Sequence, residues 1–241
     1  MSEVIKVTGL TKSYNGKTVL NKLSLSVKSG TVFGLLGANG AGKSTTIECI
    51  LGTKNADGGT VSVLGLSPKK NRRNLFQKVG VQFQEGDFQP EIKVFELCEE
   101  TACLYKNTFD WRELCTRFGI GDKMKSAVKS LSGGERQRLF IVLALISNPQ
   151  LVFLDELTTG LDTKARRGVW KMLEELKTSG LTIFLTSHFM DEVETLCDEI
   201  CILKKGTMVF YGTVAQAKEQ SGCDKFEDAY LMFSDEEVAA E

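Results

Sequence analysis

Residues 37–44 read GANGAGKS, set between the apolar run VFGLL and the pattern TTIECIL that follows. That junction constrains the chain more than any other segment. Glycines at 37, 40 and 42 let the backbone curl, which turns successive N–H groups inward. A helix beginning at the end of the curl adds positive potential from its dipole. Lys43 then contributes a point charge, and the hydroxyl of Ser44 can serve a hard cation. The spacing G-x-x-x-x-G-K-[ST], with a strand before and a helix after, is that of a phosphate cradle, the Walker A pattern. Candidate phosphate contacts are Gly37, Ala38, Asn39, Gly40, Ala41, Gly42, Lys43, Ser44 and Thr45.

The rest of the chain supplies what such a cradle needs. At the start, alternating apolar residues flank Asn15-Gly16, a turn pair that predicts a hairpin and hence an opening antiparallel sheet. Short strands are expected near 60–64 and 79–83. From 91 to about 118 the periodicity is helical, and a helix over 132–147 closes this stretch before Pro149. LVFLDE then reads as a strand, TKARRGVWKMLEELKTSG as a helix ended by Gly180, LTIFLTSH as a strand, and EICILKKG with TMVFYG as a hairpin. Strands alternating with helices imply parallel pairing. The expected fold is therefore an α/β P-loop NTPase core with a mainly parallel sheet, an N-terminal antiparallel β subdomain and an α-helical insert. Core and β subdomain are assigned to about 1–90 and 149–220, the helical part to about 91–148, and a short acidic tail to about 221–241.

Bulk properties exclude several classes. The 241 residues carry 30 Lys and Arg against 31 Asp and Glu, a net charge of -1, so there is no global electrostatic footprint for nucleic acid. Seven cysteines without paired metal-ligand spacing predict reduced thiols rather than a disulfide framework. Cys197 and Cys201 read as small buried hydrophobes. No apolar run is long enough to cross a bilayer.

Three further segments carry chemistry. Asp155 and Glu156 end an apolar strand, at the carboxyl edge where parallel sheets bind ligands. Asp155 suits Mg²⁺, as a Walker B aspartate does, and Glu156 can polarise a water as a general base. His188, the single histidine, ends the next apolar strand and is a candidate partner for a terminal phosphate. In LSGGERQR, residues 131–138, Ser132 and Glu135 form a capping-box pattern. The box leaves Gly133 and Gly134 unexplained, since each costs a helix roughly 1 kcal/mol relative to Ala. Bare backbone at a helix N-terminus suits an anion.

Taken in order, the P-loop, LSGGERQR, LVFLDE, TTGLD and TSH make the chain resemble the nucleotide-binding domain of ATP-binding cassette (ABC) proteins over nearly its whole length. The resemblance implies an ATPase using ATP and Mg²⁺. It makes Tyr14 similar to the aromatic that stacks on adenine. Gln84 is similar to the glutamine that senses Mg²⁺ and attacking water, with Gln82 a competitor by position. Asp162 resembles the aspartate of the loop that follows the Walker B strand, and His188 the family histidine. It also implies head-to-tail pairing in a homo- or heterodimer, with Ser132, Gly133 and Gly134 of one domain closing over the ATP held by the other, and a transmembrane permease, either a separate subunit or a domain of a longer polypeptide, as recipient of the stroke. The site then lies at the cytoplasmic face of a membrane. The segment from Ser187 onward looks most like export-type drug and lipid cassettes; a soluble ABC ATPase or an importer cassette is the alternative. One departure is Leu157, where the family usually has proline after the catalytic glutamate.

Overall fold

A computed structural model of the chain describes residues 2–82, 88–89, 91–156 and 158–234. It separates into two compact units, the first made of Met1–Leu75 with Thr186–Glu241 and the second of Phe76–Leu185. The combination of an N-terminal antiparallel sheet with parallel pairing elsewhere is the mixed α/β class expected.

In the first unit, β1 (Glu3–Tyr14) and β2 (Lys17–Lys28) form the hairpin, and β4 (Gly58–Val63) pairs antiparallel on the other side of β1, giving the order β2-β1-β4. Asn15 and Gly16 both have positive φ, 49° and 80°, as a turn matching the strand twist requires. Along β1 the side chains of Ile5, Val7 and Leu10 are buried while Glu3 and Lys6 are exposed. This alternation fixes which face of the sheet meets the core. A second group of strands follows: β3 (Val32–Leu36) runs parallel to β8 (Glu199–Lys204), which pairs antiparallel with β9 (Thr207–Gly212). All five residues of β3 are buried, as a strand covered on both faces demands. Gly34 leaves room for Cys197, whose Sγ would stand 2.9 Å from a Cβ there.

Helix α1 (Lys43–Leu51) leaves the P-loop and stops at Gly52, which takes φ 69°. α2 (Pro68–Leu75) follows β4. α7 (Met190–Leu196), α8 (Val214–Ser221) and α9 (Phe226–Ser234) complete the unit. The sequence places 221–241 in an acidic tail, yet Phe226, Ala229 and Tyr230 of α9 are buried in one cluster with Leu36, Ile200, Ile202 and Phe210.

The second unit holds β5 (Val79–Gln82), parallel to β6 (Leu151–Asp155), with β7 (Thr182–Thr186) next to β6 in the strand order. Its helices are α3 (Val94–Cys103), α4 (Trp111–Arg117), α5 (Gly133–Leu145) and α6 (Thr163–Thr178). Gly80 is where α5 meets β5: a Cβ there would lie 1.9 Å from the Ala144 carbonyl oxygen. Phe153 and Phe184 pack at 5.0 Å between ring centroids, joining the cores of β6 and β7. All seven cysteines are free, and burial pushes the Cys201 thiol up to about 12.

Candidate active site

The P-loop closes on itself before any ligand is considered. Gly37, Gly40 and Gly42 have φ of 148°, 79° and 106°, values that side chains disfavour. Gly37 is fixed sterically as well, because a Cβ there would stand 2.4 Å from the Leu203 carbonyl oxygen. Ala41 N–H donates to the Ala38 carbonyl at 3.0 Å, and Thr46 Oγ1 donates to that of Gly42 at 2.8 Å. Lys43 is 8% exposed, and its Nζ donates to the carbonyl oxygens of Gly37 at 2.6 Å and Ala38 at 3.3 Å. The ammonium is thereby drawn into the curl of the loop rather than out to solvent. Asn39, Gly40 and Ser44 are exposed. A cleft of about 260 Å³ opens beside residues 38–41, with Lys204 and Lys205 on its wall.

The loop is braced from outside by the β8–β9 turn. Gly206 N–H donates to the Ala41 carbonyl at 2.9 Å, and Asn21 N–H donates to the Gly206 carbonyl at 2.9 Å. A Cβ at Gly206 would come within 1.9 Å of the Val19 carbonyl oxygen. Nothing local in KKGTM announces this role, because the neighbours come from β2.

At the tip of the opening hairpin Tyr14 is 37% exposed. Asp57 anchors the strand end beneath it, accepting from Ser13 N–H at 2.6 Å and from Lys12 Nζ at 2.9 Å. Those bonds, that to Lys12 first, hold the Asp57 carboxyl below its ordinary range. Lys12 and Lys54 place their ammonium groups 5.1 and 5.6 Å from the Tyr14 ring centroid, so the ring already attracts positive charge at its faces. His188, also in the first unit, is exposed just beyond β7, next to buried Ser187 whose Oγ accepts from Phe189 N–H at 3.0 Å.

The second unit brings together the carboxylates and the signature segment. Asp155 and Glu156 sit half-buried at the end of β6. Glu156 takes φ 50°, a left-handed conformation that costs a non-glycine residue roughly 1–2 kcal/mol. Strain of this kind concentrates where a side chain must be aimed. Two glutamines hold the backbone here: Gln82 Nε2 donates to the Asp155 carbonyl at 3.3 Å, and Gln137 Nε2 to the Glu156 carbonyl at 3.4 Å. Gln137 was not legible as a site residue, since its partner lies nineteen positions away on another element. Gln82 is 3% exposed in β5, positioned as a brace; Gln84 and Leu157 lie outside the described residues.

Ser132 caps α5 as the sequence predicts. Its Oγ accepts from Glu135 N–H at 3.3 Å, while Ser132 N–H donates to Glu135 Oε2 at 2.8 Å. The Ser132 backbone N–H, then Lys123 at 3.2 Å, hold the Glu135 carboxyl below its ordinary value. The two glycines differ. A Cβ at Gly134 would stand 3.2 Å from Leu161 Cδ2, an internal reason for glycine, whereas one at Gly133 meets nothing within 4 Å. Gly133 and Ser132 are exposed. Asp162 is the N-cap of α6, accepting from Ala165 N–H at 2.8 Å.

Among the described residues no three His, Cys, Asp or Glu side chains form a metal cluster. Ser44, in the first unit, and Asp155, in the second, each carry a hard oxygen donor of the kind that Mg²⁺ takes.

A helix-borne phosphate cradle, a strand-end carboxylate pair and a capped signature helix define an ATP-binding cassette. The ABC transporter family profile matches residues 20–159, and the chain belongs to that family. It is 40% identical over 233 residues to the Nod factor export ATP-binding protein I of Rhizobium johnstonii, covering 92% of this chain and 74% of that protein. The protein of the same name from Burkholderia orbicola is 37% identical over 226 residues, covering 90% and 73%. Among solved structures, an ATP-binding subunit of an ABC transporter superposes with a TM-score of 0.88 at 26% identity, covering 95% of this chain and 99% of that one.

Proposed function

We propose that this cassette hydrolyses ATP as one half of a head-to-tail pair and passes the resulting motion to a separate membrane-spanning permease, in the direction of export. The observation that carries the reading is the unfilled face of the signature helix. Ser132 and Gly133 stand exposed at a capped N-terminus, and nothing within their own unit requires Gly133 to be bare. A terminal phosphate presented by a second chain gives that glycine a purpose.

In this reading the N–H groups of residues 37–45 wrap the phosphates, with Lys43 supplying charge to the β- and γ-groups. Ser44 and Asp155, with Gln84, hold Mg²⁺, which when bound neutralises phosphate charge. Glu156 accepts a proton from the attacking water, and His188 steadies the γ-phosphate. Tyr14 stacks on adenine, and Asp162 contacts the partner cassette. The helical segment 91–148 docks the permease, which places the chain at the cytoplasmic face of the membrane without crossing it; no described helix is long and apolar enough to span. The names of the relatives favour export over import. Near-neutral net charge gives no support to a nucleic-acid partner.

Glu156→Gln tests the chemistry. The substitution keeps size and removes the base, so ATP should bind while turnover falls about 10²–10⁴-fold, and a stable ATP-dependent pair should elute from a sizing column. Turnover at the parental rate would remove Glu156 from the mechanism.

A further inference from the structure

Tyr14 ends the first strand of a hairpin, a place where an aromatic side chain is ordinarily free to swing. Here the backbone leading to it is tied to one residue. The β1–β4 ladder is irregular between Thr8 and Thr11, and Asp57, just before β4, secures the strand beyond that break. Its backbone N–H donates to the Thr11 carbonyl at 2.9 Å. Its carboxylate accepts from Ser13 N–H at 2.6 Å and from Lys12 Nζ at 2.9 Å. Residues 11, 12 and 13 are thus held in succession up to the ring.

The same carboxylate decides where a cation stands. A surface lysine usually keeps its ammonium in water at the end of a mobile stem. The Lys12 side chain is instead only 14% exposed, and its Nζ lies 5.1 Å from the Tyr14 ring centroid. The hydrogen bond from Asp57 raises the Lys12 ammonium above its ordinary value of 10.5, so the charge persists throughout the neutral range. Lys54 stands at 5.6 Å from the same ring and pairs with Glu48 of α1 at 2.8 Å, but this pair is the more exposed and solvent screens it. Stability gives little reason for the Lys12–Asp57 pair, because surface ion pairs contribute little and Ile5, Val7 and Leu10 already anchor β1 in the core. A cation attracted to one face of a ring does have an effect on a ligand: it fixes the ring and leaves the opposite face for stacking. A ring fixed in advance loses less freedom when that ligand arrives.

We infer that Lys12 and Asp57 are positioning residues for the nucleotide: Asp57 sets the strand end and holds Lys12 against one side of the Tyr14 ring, so that the base stacks on the other. The inference rests on the reading of Tyr14 as the ring that stacks on adenine and adds to it the pair that orients that ring.

The test is a double-mutant cycle on ATP affinity, measured by calorimetry with the full chain. Tyr14→Ala should weaken ATP binding at least about fivefold, the loss of one base–aromatic stack. Lys12→Met keeps the aliphatic stem and removes the cation, so it should weaken ATP about two- to fivefold. Asp57→Ala, which releases both Lys12 and Ser13, should weaken it at least as much. Lys12→Arg keeps a cation that can pair with Asp57 and lie on the ring, and should bind like the parent. In the Tyr14→Ala background neither Lys12→Met nor Asp57→Ala should weaken ATP further. Damage to the hairpin or the P-loop, or a simple attraction of Lys12 for phosphate, would be felt with or without the ring. Parental affinity in Lys12→Met or in Asp57→Ala overturns the inference alone, as does an equal loss in the two backgrounds. Parental affinity in Tyr14→Ala overturns it together with the adenine reading.

Discussion

At the scale of single residues, the glycines separate into those with open space where a Cβ would stand and those with backbone packed against them. Gly40 and Gly133 meet no atom where a Cβ would stand, whereas Gly206 meets the Val19 backbone. Gly206 also donates to Ala41 of the P-loop, so it couples packing to the phosphate cradle. Gly206→Ala should therefore do two things. Overpacking against backbone costs about 1–3 kcal/mol, which in a chain of this size lowers the melting temperature by roughly 2–12 °C. ATP affinity should fall with it, because the brace on Ala41 shifts. Gly180→Ala is the control: φ is also positive there, at 99°, but the space is open and the site lies outside the P-loop. Calorimetry and a fluorescent-nucleotide titration of the two variants decide the point. Equal ATP affinity in the Gly206 variant and the parent would detach the turn from the cradle.

At the scale of elements, the capping box on α5 makes a prediction with a sign. Glu135 accepts from the Ser132 backbone N–H and pairs with Lys123, and its carboxyl sits below its ordinary value of 4.5. A depressed carboxylate contributes stability that is complete above the unfolded value and is lost as pH falls through the folded one. The cap should accordingly weaken only in acid, below about pH 4.5. Ser132→Ala removes the hydroxyl but keeps the backbone donor, so the Glu135 midpoint, followed by carboxyl NMR, should rise part of the way toward 4.5. The helix should lose about 1 kcal/mol of cap. A midpoint that does not move would mean that the hydroxyl has no share in holding the carboxylate. This cap was legible because its partners lie three residues apart, as was the β1–β2 hairpin from Asn15-Gly16. By contrast, PKKNRRNL gives no apolar stripe to announce α2, and the structure shows a kink at Asn71 within it. α9 did carry a signal, Phe226, Ala229 and Tyr230 at helical spacing, obscured by the acidic residues after it. The contacts of Gly206, Gln82 and Gln137 depend on tertiary neighbours, which no local pattern encodes.

At the scale of the whole molecule, the proposal requires that each catalytic centre be built from two chains, and this can be tested without solving a complex. Lys43→Ala removes the ammonium that lies within the P-loop curl, so this chain should lose its cradle while keeping a sound signature. Gly133→Trp should do the reverse. Gly133 is exposed, lacks a positive φ and has free space at its Cβ, so the indole can extend into solvent and leave the fold intact. Gly134 is the poorer choice, because its Cβ would press on Leu161. Each variant alone puts a defect in both centres of a symmetric pair and should be inactive. In a mixed pair the two defects fall together in one centre and leave the other whole. Random pairing of equal amounts makes half the pairs mixed, so if the centres act independently the mixture should recover roughly a quarter of the parental turnover. Recovery should also depend on total concentration, because pairing is bimolecular. If cradle and signature of the same chain worked together, mixing would restore nothing at any concentration, since no chain in the mixture has both parts intact.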